Sequence, residues 1–200
     1  MFVYFNGLLL GLSLIMALGP QNVFLIRQGA RRKHALLSAV VCFCCDVILV
    51  SASVAGLHHA LSLHPSLQIW MTWFGVLFLL YYGVVALKKG LSPATAKDVS
   101  GEPANRLQII LLALGFSLLN PHAIIDSLVI IGSGSSQFPQ HQYLFLMGVI
   151  TSSFLWFASL TFTTQYFAST LTRATVWQRI ELGSGFLMLF LCVKLALSQL

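Results

Sequence analysis

Charge is what this sequence has least of. Asp, Glu, Lys and Arg make up 8% of its 200 residues, and only five of them are acids, where an ordinary soluble domain carries about 25% charged residues. So few charges cannot solvate the surface of a soluble fold of this size, and the 58% apolar content exceeds the usual share of about 45–50%. Cysteine is scarce as well. Cys42 and Cys45 fall at CxxC spacing inside an apolar block, but no histidine pairs with them or with Cys44 and Cys192, which argues against zinc work and for small apolar packing. Basic residues do not cluster on a soluble face, so the formal charge of +6 does not point to nucleic acid.

What is present is long apolar runs. A helix of about 20 residues crosses a hydrocarbon core of about 30 Å, and blocks of that length run roughly over residues 2–26, 35–57, 67–87, 107–131, 143–166 and 176–197. Membrane strands would show about 10-residue alternating segments instead. The expectation is a single all-α integral membrane domain of six transmembrane helices.

The connections between blocks carry a charge asymmetry. The first holds Arg27, Arg31, Arg32 and Lys33; the third holds Lys88, Lys89, Lys97 and Arg106; the fifth holds Arg173, with Arg179 just after it. The second and fourth connections, residues 58–66 and 132–142, contain no Lys or Arg. By the positive-inside rule the odd connections face the cytoplasm and both termini face outward.

The third connection, residues 88–106, is rich in Pro, Ser and Ala and reads as a flexible cytoplasmic linker. It separates a first half (1–87) from a second (107–200), each with three blocks. The first block contains Gly19-Pro20-Gln21-Asn22 and the fourth Asn120-Pro121-His122, each past the middle of its run. Residues 75–87 also align without gaps on 185–197, with Gly at one end and Leu at the other. Three helices is an odd number, so homologous halves must insert in opposite orientations. Inverted repeats with interrupted helices at corresponding positions are a common secondary-transporter architecture, and the interruptions point to the site. Proline removes a backbone hydrogen bond and crowds the preceding turn, and in lipid the freed groups need protein or water partners.

Two acids stand alone in long apolar stretches, Asp46 in the second block and Asp126 in the fourth. A carboxylate at the bilayer centre is expensive, about 2.5–3.5 kcal/mol on insertion scales, and such groups turn to the bundle interior. His122 and Asp126 are four residues apart and share one helix face. Two ligands are too few for a metal site, so a structural His–Asp hydrogen bond or a polar lining for a solute path remain. Gly7 and Gly11 fit the small-xxx-small pattern of close helix approach, and Trp70, Trp73, Trp156 and Trp177 are explained by interfacial anchoring or packing.

At these residues the chain resembles the LysE-type lysine/arginine exporters of bacterial inner membranes. The resemblance covers essentially the whole chain. It rests on Gly19-Pro20-Gln21-Asn22-Val23 followed by Arg27-Gln28-Gly29-Ala30-Arg31-Arg32, then the Asp46 helix, Leu119-Asn120-Pro121-His122 with Asp126, and Ser153-Phe154-Leu155-Trp156-Phe157. It implies secondary-active export of L-lysine, L-arginine or a related amino acid, driven by the membrane potential or a proton gradient, in a multi-pass inner-membrane protein that is not an enzyme. At Ile124-Ile125 the chain departs from the family pattern of an aromatic residue followed by Leu, so the carried side chain stays open.

A basic amino acid presents a carboxylate, an α-ammonium and a side-chain cation. The helix starts after Pro20 and Pro121 would offer N–H groups and a positive dipole end to the carboxylate, with Gln21, Asn22, Asn120 and His122 adding polar groups. Asp46 and Asp126 would meet the cations, and either could carry a coupled proton when substrate leaves. No cofactor or resident metal is called for, and assembly of copies into a homo-oligomer is left open. Alternatives are an exporter of another small solute or metal ion, for which ligands are lacking, or a membrane thiol–disulfide conductor, which needs cysteines in the first and fourth blocks, where there are none. The charge asymmetry makes a test: a periplasm-active reporter fused after Leu200 should be active and one fused near Ala96 silent, and the reverse pattern would overturn the orientation.

Overall fold

The computed structural model describes residues 1–16, 19–55, 65–92, 105–119 and 130–197. Within them the chain is helical and has no strand. The helices are α1 (Phe2–Ile15), α2 (Pro20–Arg31), α3 (Ala35–Val54), α4 (Pro65–Leu91), α5 (Arg106–Leu118), α6 (Gly132–Ser136), α7 (Gln142–Tyr166), α8 (Ala168–Leu171) and α9 (Ala174–Leu197). Four helical stretches are long and apolar enough to cross a membrane by themselves: Ala35–Val54, Thr72–Leu91, Gln142–Tyr166 and Ala174–Leu197. The pair α1 and α2, bent by 78° at its break, has the length and composition of one broken span or of a re-entrant loop. The chain is therefore a multi-pass membrane protein. The fourth block is described only at its ends, as α5 and residues 130–131, and α6 follows in the segment expected to be the fourth connection; Asn120, Pro121, His122 and Asp126 lie outside the described residues.

The break in the first block follows from its sequence. Gly19 is extended (φ −111°, ψ 175°) and Pro20 opens α2 as its first helical residue, the position where a missing N–H is harmless and the fixed φ suits a helix. The far end of α2 corrects the expectation for the first connection. Arg27 and Arg31, counted there as loop charges, are helical. The connection itself is a tight turn in which Arg32 and His34 both adopt left-handed φ, 52° and 53°, an uncommon state for residues with a Cβ.

Around the outside, large apolar side chains such as Leu9, Ile48, Leu77, Phe154, Phe162, Phe186 and Phe190 are exposed, as a lipid-facing surface requires. In contrast α2 is buried on nearly every side, from Pro20 through Leu25 and again from Gln28 through Ala30. It packs against α3, α5, α7, α8 and α9. The main core gathers on it: Val23, Phe24 and Leu25 meet Ala39 and Cys42 of α3, Phe116 of α5 and Phe157 of α7. Phe24 stacks on Phe116 with ring centroids 5.2 Å apart.

Two helix pairs frame this centre, α1 with α7 and α4 with α9. Lipid supplies no hydrophobic drive between helices, so close backbone approach must do the work. Gly7 and Gly11 provide it, as their spacing suggested: a Cβ on Gly7 would strike the Phe145 carbonyl, and one on Gly11 the Ser152 hydroxyl. Between α4 and α9, Gly83 receives Leu189 and Gly185 receives Leu87. Overpacking of this kind usually destabilises by about 1–3 kcal/mol. Gly7→Leu should therefore lower the thermal unfolding midpoint in detergent, whereas Gly183→Ala, with nothing within 4 Å of the added carbon, should leave it unchanged or raise it.

Candidate functional site

The polar groups of the membrane interior converge on α2. Asp46, on α3, is partly buried and accepts a hydrogen bond from Gln21 Nε2 at 3.3 Å through Oδ1 and one from Ser153 Oγ at 3.4 Å through Oδ2. Both are long for bonds to a carboxylate, which are usually about 2.7–2.9 Å. A carboxylate offers about four acceptor positions. Among the described residues these two loose bonds are its side-chain partners, which leaves Asp46 with capacity for a cationic donor.

Asn22, next along α2, is 4% exposed and spans the break. Its Nδ2 donates to the Ile15 carbonyl at the end of α1, 2.9 Å away, and its Oδ1 accepts from Trp156 Nε1 of α7 at 3.0 Å. Helix ends leave carbonyls without partners, and here a side chain from the following helix supplies one. Of the sequence-derived candidates, Gly19, Pro20, Gln21, Asn22 and Asp46 are thus brought together beside Ser153 and Trp156. Trp156 was expected to anchor at the interface or pack; it donates a hydrogen bond inside the bundle instead.

A second polar cluster was not anticipated. Glu181 of α9 is 2% exposed, and its carboxylate lies 2.8 Å from the guanidinium of Arg27. Arg27 also donates to the hydroxyl of Ser184. One turn further along α2, the Arg31 guanidinium lies 4.9 Å over the Trp177 ring, within cation–π range. The signal for Glu181 was in the sequence: it is the one acid in the sixth block. It stands two residues after Arg179, at the end of that block nearest the fifth connection.

The basic connections meet at one end of the bundle. Arg32 Nε donates to the Gln165 carbonyl at 3.1 Å, Gln178 Nε2 donates to the Ser92 carbonyl at 2.9 Å, and Arg32, His34, Arg106 and Gln165 line a shared surface cavity. The first, third and fifth connections thus share a side. Among the described residues no cluster of His, Cys, Asp and Glu has the makings of a metal site.

Comparison with known proteins fits this geometry. The family model described as LysE type translocator matches residues 12–199. The chain is 33% identical to the lysine exporter LysE of Corynebacterium diphtheriae, over 94% of this chain and 96% of that protein. It is 37% identical to the arginine exporter protein ArgO of Escherichia coli strain K12 and to that of Salmonella schwarzengrund, over 96% of this chain and 92% of each relative. No solved structure matches it.

The bridge across the break can be tested by itself. Trp156→Phe keeps the ring and removes the donor to Asn22, and a net hydrogen bond is worth about 0.5–1.5 kcal/mol. The thermal midpoint should fall modestly, and the same substitution in an Asn22→Ala background should add less than it does alone; full additivity would mean the two residues are not coupled.

Proposed function

Because the chain belongs to the LysE type translocator family, we propose that it exports a cationic amino acid, L-lysine and/or L-arginine, from the cytoplasm to the outside of the bacterial inner membrane. It is a translocator and not an enzyme. The observation that carries the substrate class is Asp46, loosely held by Gln21 and Ser153 beside the start of α2. A carboxylate meets the ammonium or guanidinium of the substrate, and the helix start after Pro20 presents N–H groups and a positive dipole end to its carboxylate. Relatives that cover nearly the whole chain bear the names of a lysine exporter and an arginine exporter.

The transport cycle is alternating access between two inverted three-helix halves, with Asn120, Pro121, His122 and Asp126 forming the second half's share of the site. The contact pattern supports this. Helix α1 lies on α7 and α5 lies on α3, so the opening helix of each half rests on the second span of the other. The third spans, α4 and α9, rest on each other. The reciprocal fit of Gly83 with Leu189 and Gly185 with Leu87 equates Gly83 with Gly185, a register about two helical turns from the gapless alignment of residues 75–87 on 185–197. In this scheme both termini lie outside, the shared basic end faces the cytoplasm, and Asp46 takes up a proton when substrate leaves.

Counterflow of labelled arginine, lysine and neutral amino acids in proteoliposomes tests the substrate class. A hydrogen bond to a charged group is worth about 1.5–3 kcal/mol, so Asp46→Asn should insert normally and raise the arginine Kd about 10- to 100-fold. Full-rate export of a cationic substrate by Asp46→Asn would assign the residue to packing.

A further inference from the structure

Trp177, Glu181 and Ser184 follow one another at helical spacing on α9, so they form one stripe. All three are at most 3% exposed. A carboxylate, a hydroxyl and an indole face are the groups that recognise a guanidinium or an ammonium. In this conformation the stripe holds two guanidiniums of the chain itself: Arg27 on Glu181 and Ser184, and Arg31 on Trp177. The fit is incomplete. Arg27 Nε and Trp177 Nε1 are buried without a hydrogen-bond partner among the described residues, and a buried donor left unmatched is costly.

The stripe is placed on the way to Asp46. Immediately beside Trp177, Gln178 bonds to Ser92 of the third connection, so the Trp177 end of the stripe lies nearest the basic end. The element that covers it is α2, whose first turn carries Gln21 to Asp46. One short helix therefore touches both acids.

The geometry points to a second cation-binding station formed by Glu181, Ser184 and Trp177, on the basic side of Asp46, in which Arg27 stands in for the cationic side chain of the substrate. An arriving guanidinium or ammonium takes the place of Arg27 on Glu181, and Arg27 swings on its flexible stem toward the water at the basic end. Displacement frees α2 from α9, the contact that holds it over the stripe. This inference rests on the export of a cationic amino acid proposed above.

A buried ion pair is often replaceable by neutral groups without loss of stability, whereas removal of one partner is not tolerated. The test therefore uses the double variant Arg27→Gln/Glu181→Gln, which removes both charges, with binding of arginine and of its neutral isostere citrulline measured by equilibrium binding in nanodiscs. If Glu181 contacts substrate, the preference for arginine over citrulline should fall about tenfold or more while the thermal midpoint stays near that of the parent. Ser184→Ala keeps the ion pair and should reduce the same preference about three- to tenfold, which keeps the test decisive if the double variant fails to fold. An unchanged preference in either folded variant would make the cluster a structural clasp and overturn the station. Failure of the parent protein to bind arginine or lysine at all would instead overturn the export reading, and the station with it.

Discussion

A helix that stops inside a bilayer leaves carbonyls that no water reaches, and the rest of this molecule is arranged around meeting that demand. Asn22 does it by reaching back from α2 to the Ile15 carbonyl while Trp156 holds its own oxygen. Because the break is satisfied by side chains, the chain can turn by 78° and drive α2 into the middle of the bundle. There α2 is enclosed by five other helices, and its polar residues become interior groups that must find partners. Gln21 finds Asp46 and Arg27 finds Glu181. The polar chemistry of the interior is thus a consequence of where the first span breaks.

The frame and the plug are held by different forces. In α1–α7 and α4–α9, glycines let backbone and leucine pack without intervening space, and such dispersion contacts are numerous and short-ranged. They resist sliding because a tightly packed interface yields only at the expense of all its contacts together. Apart from its apolar core contacts, α2 is held by the long bond from Gln21 to Asp46, by the bonds of Asn22 to Ile15 and Trp156, and by the ion pair of Arg27 with Glu181. Those interactions can be exchanged for equivalents offered by a ligand. Close-packed glycine seams have no such substitutes, and α2 carries one such contact as well, where Gly29 receives Thr164 of α7.

Much of this was legible in the sequence, for physical reasons. Apolar blocks long enough for a bilayer forced the spans. Gly19-Pro20 forced a break, since a proline N–H cannot be supplied, and an acid alone in an apolar block had to turn inward, so Asp46 was identifiable without coordinates. Arg27 was not, and neither was its pairing with Glu181. A basic residue near a span end is equally well explained by a loop, a snorkelling side chain or a buried pair, and only the packing of α2 on α9 decides among them. Ser153 and Trp156 were hidden for a related reason: a serine and a tryptophan in an apolar helix carry no directional signal until a partner on another helix is known.

The distribution of acid makes the same point from the other side. With five acids in 200 residues, placement of each is a strong constraint, because a buried carboxylate needs a specific partner to be tolerated. The two acids among the described residues, Asp46 on α3 and Glu181 on α9, approach the bundle from different helices, yet both are partnered by side chains of α2. One partner, Gln21, is neutral and the other, Arg27, is charged, and both lie on the helix that the bundle encloses. Any displacement of that one helix would change the company of both carboxylates at once.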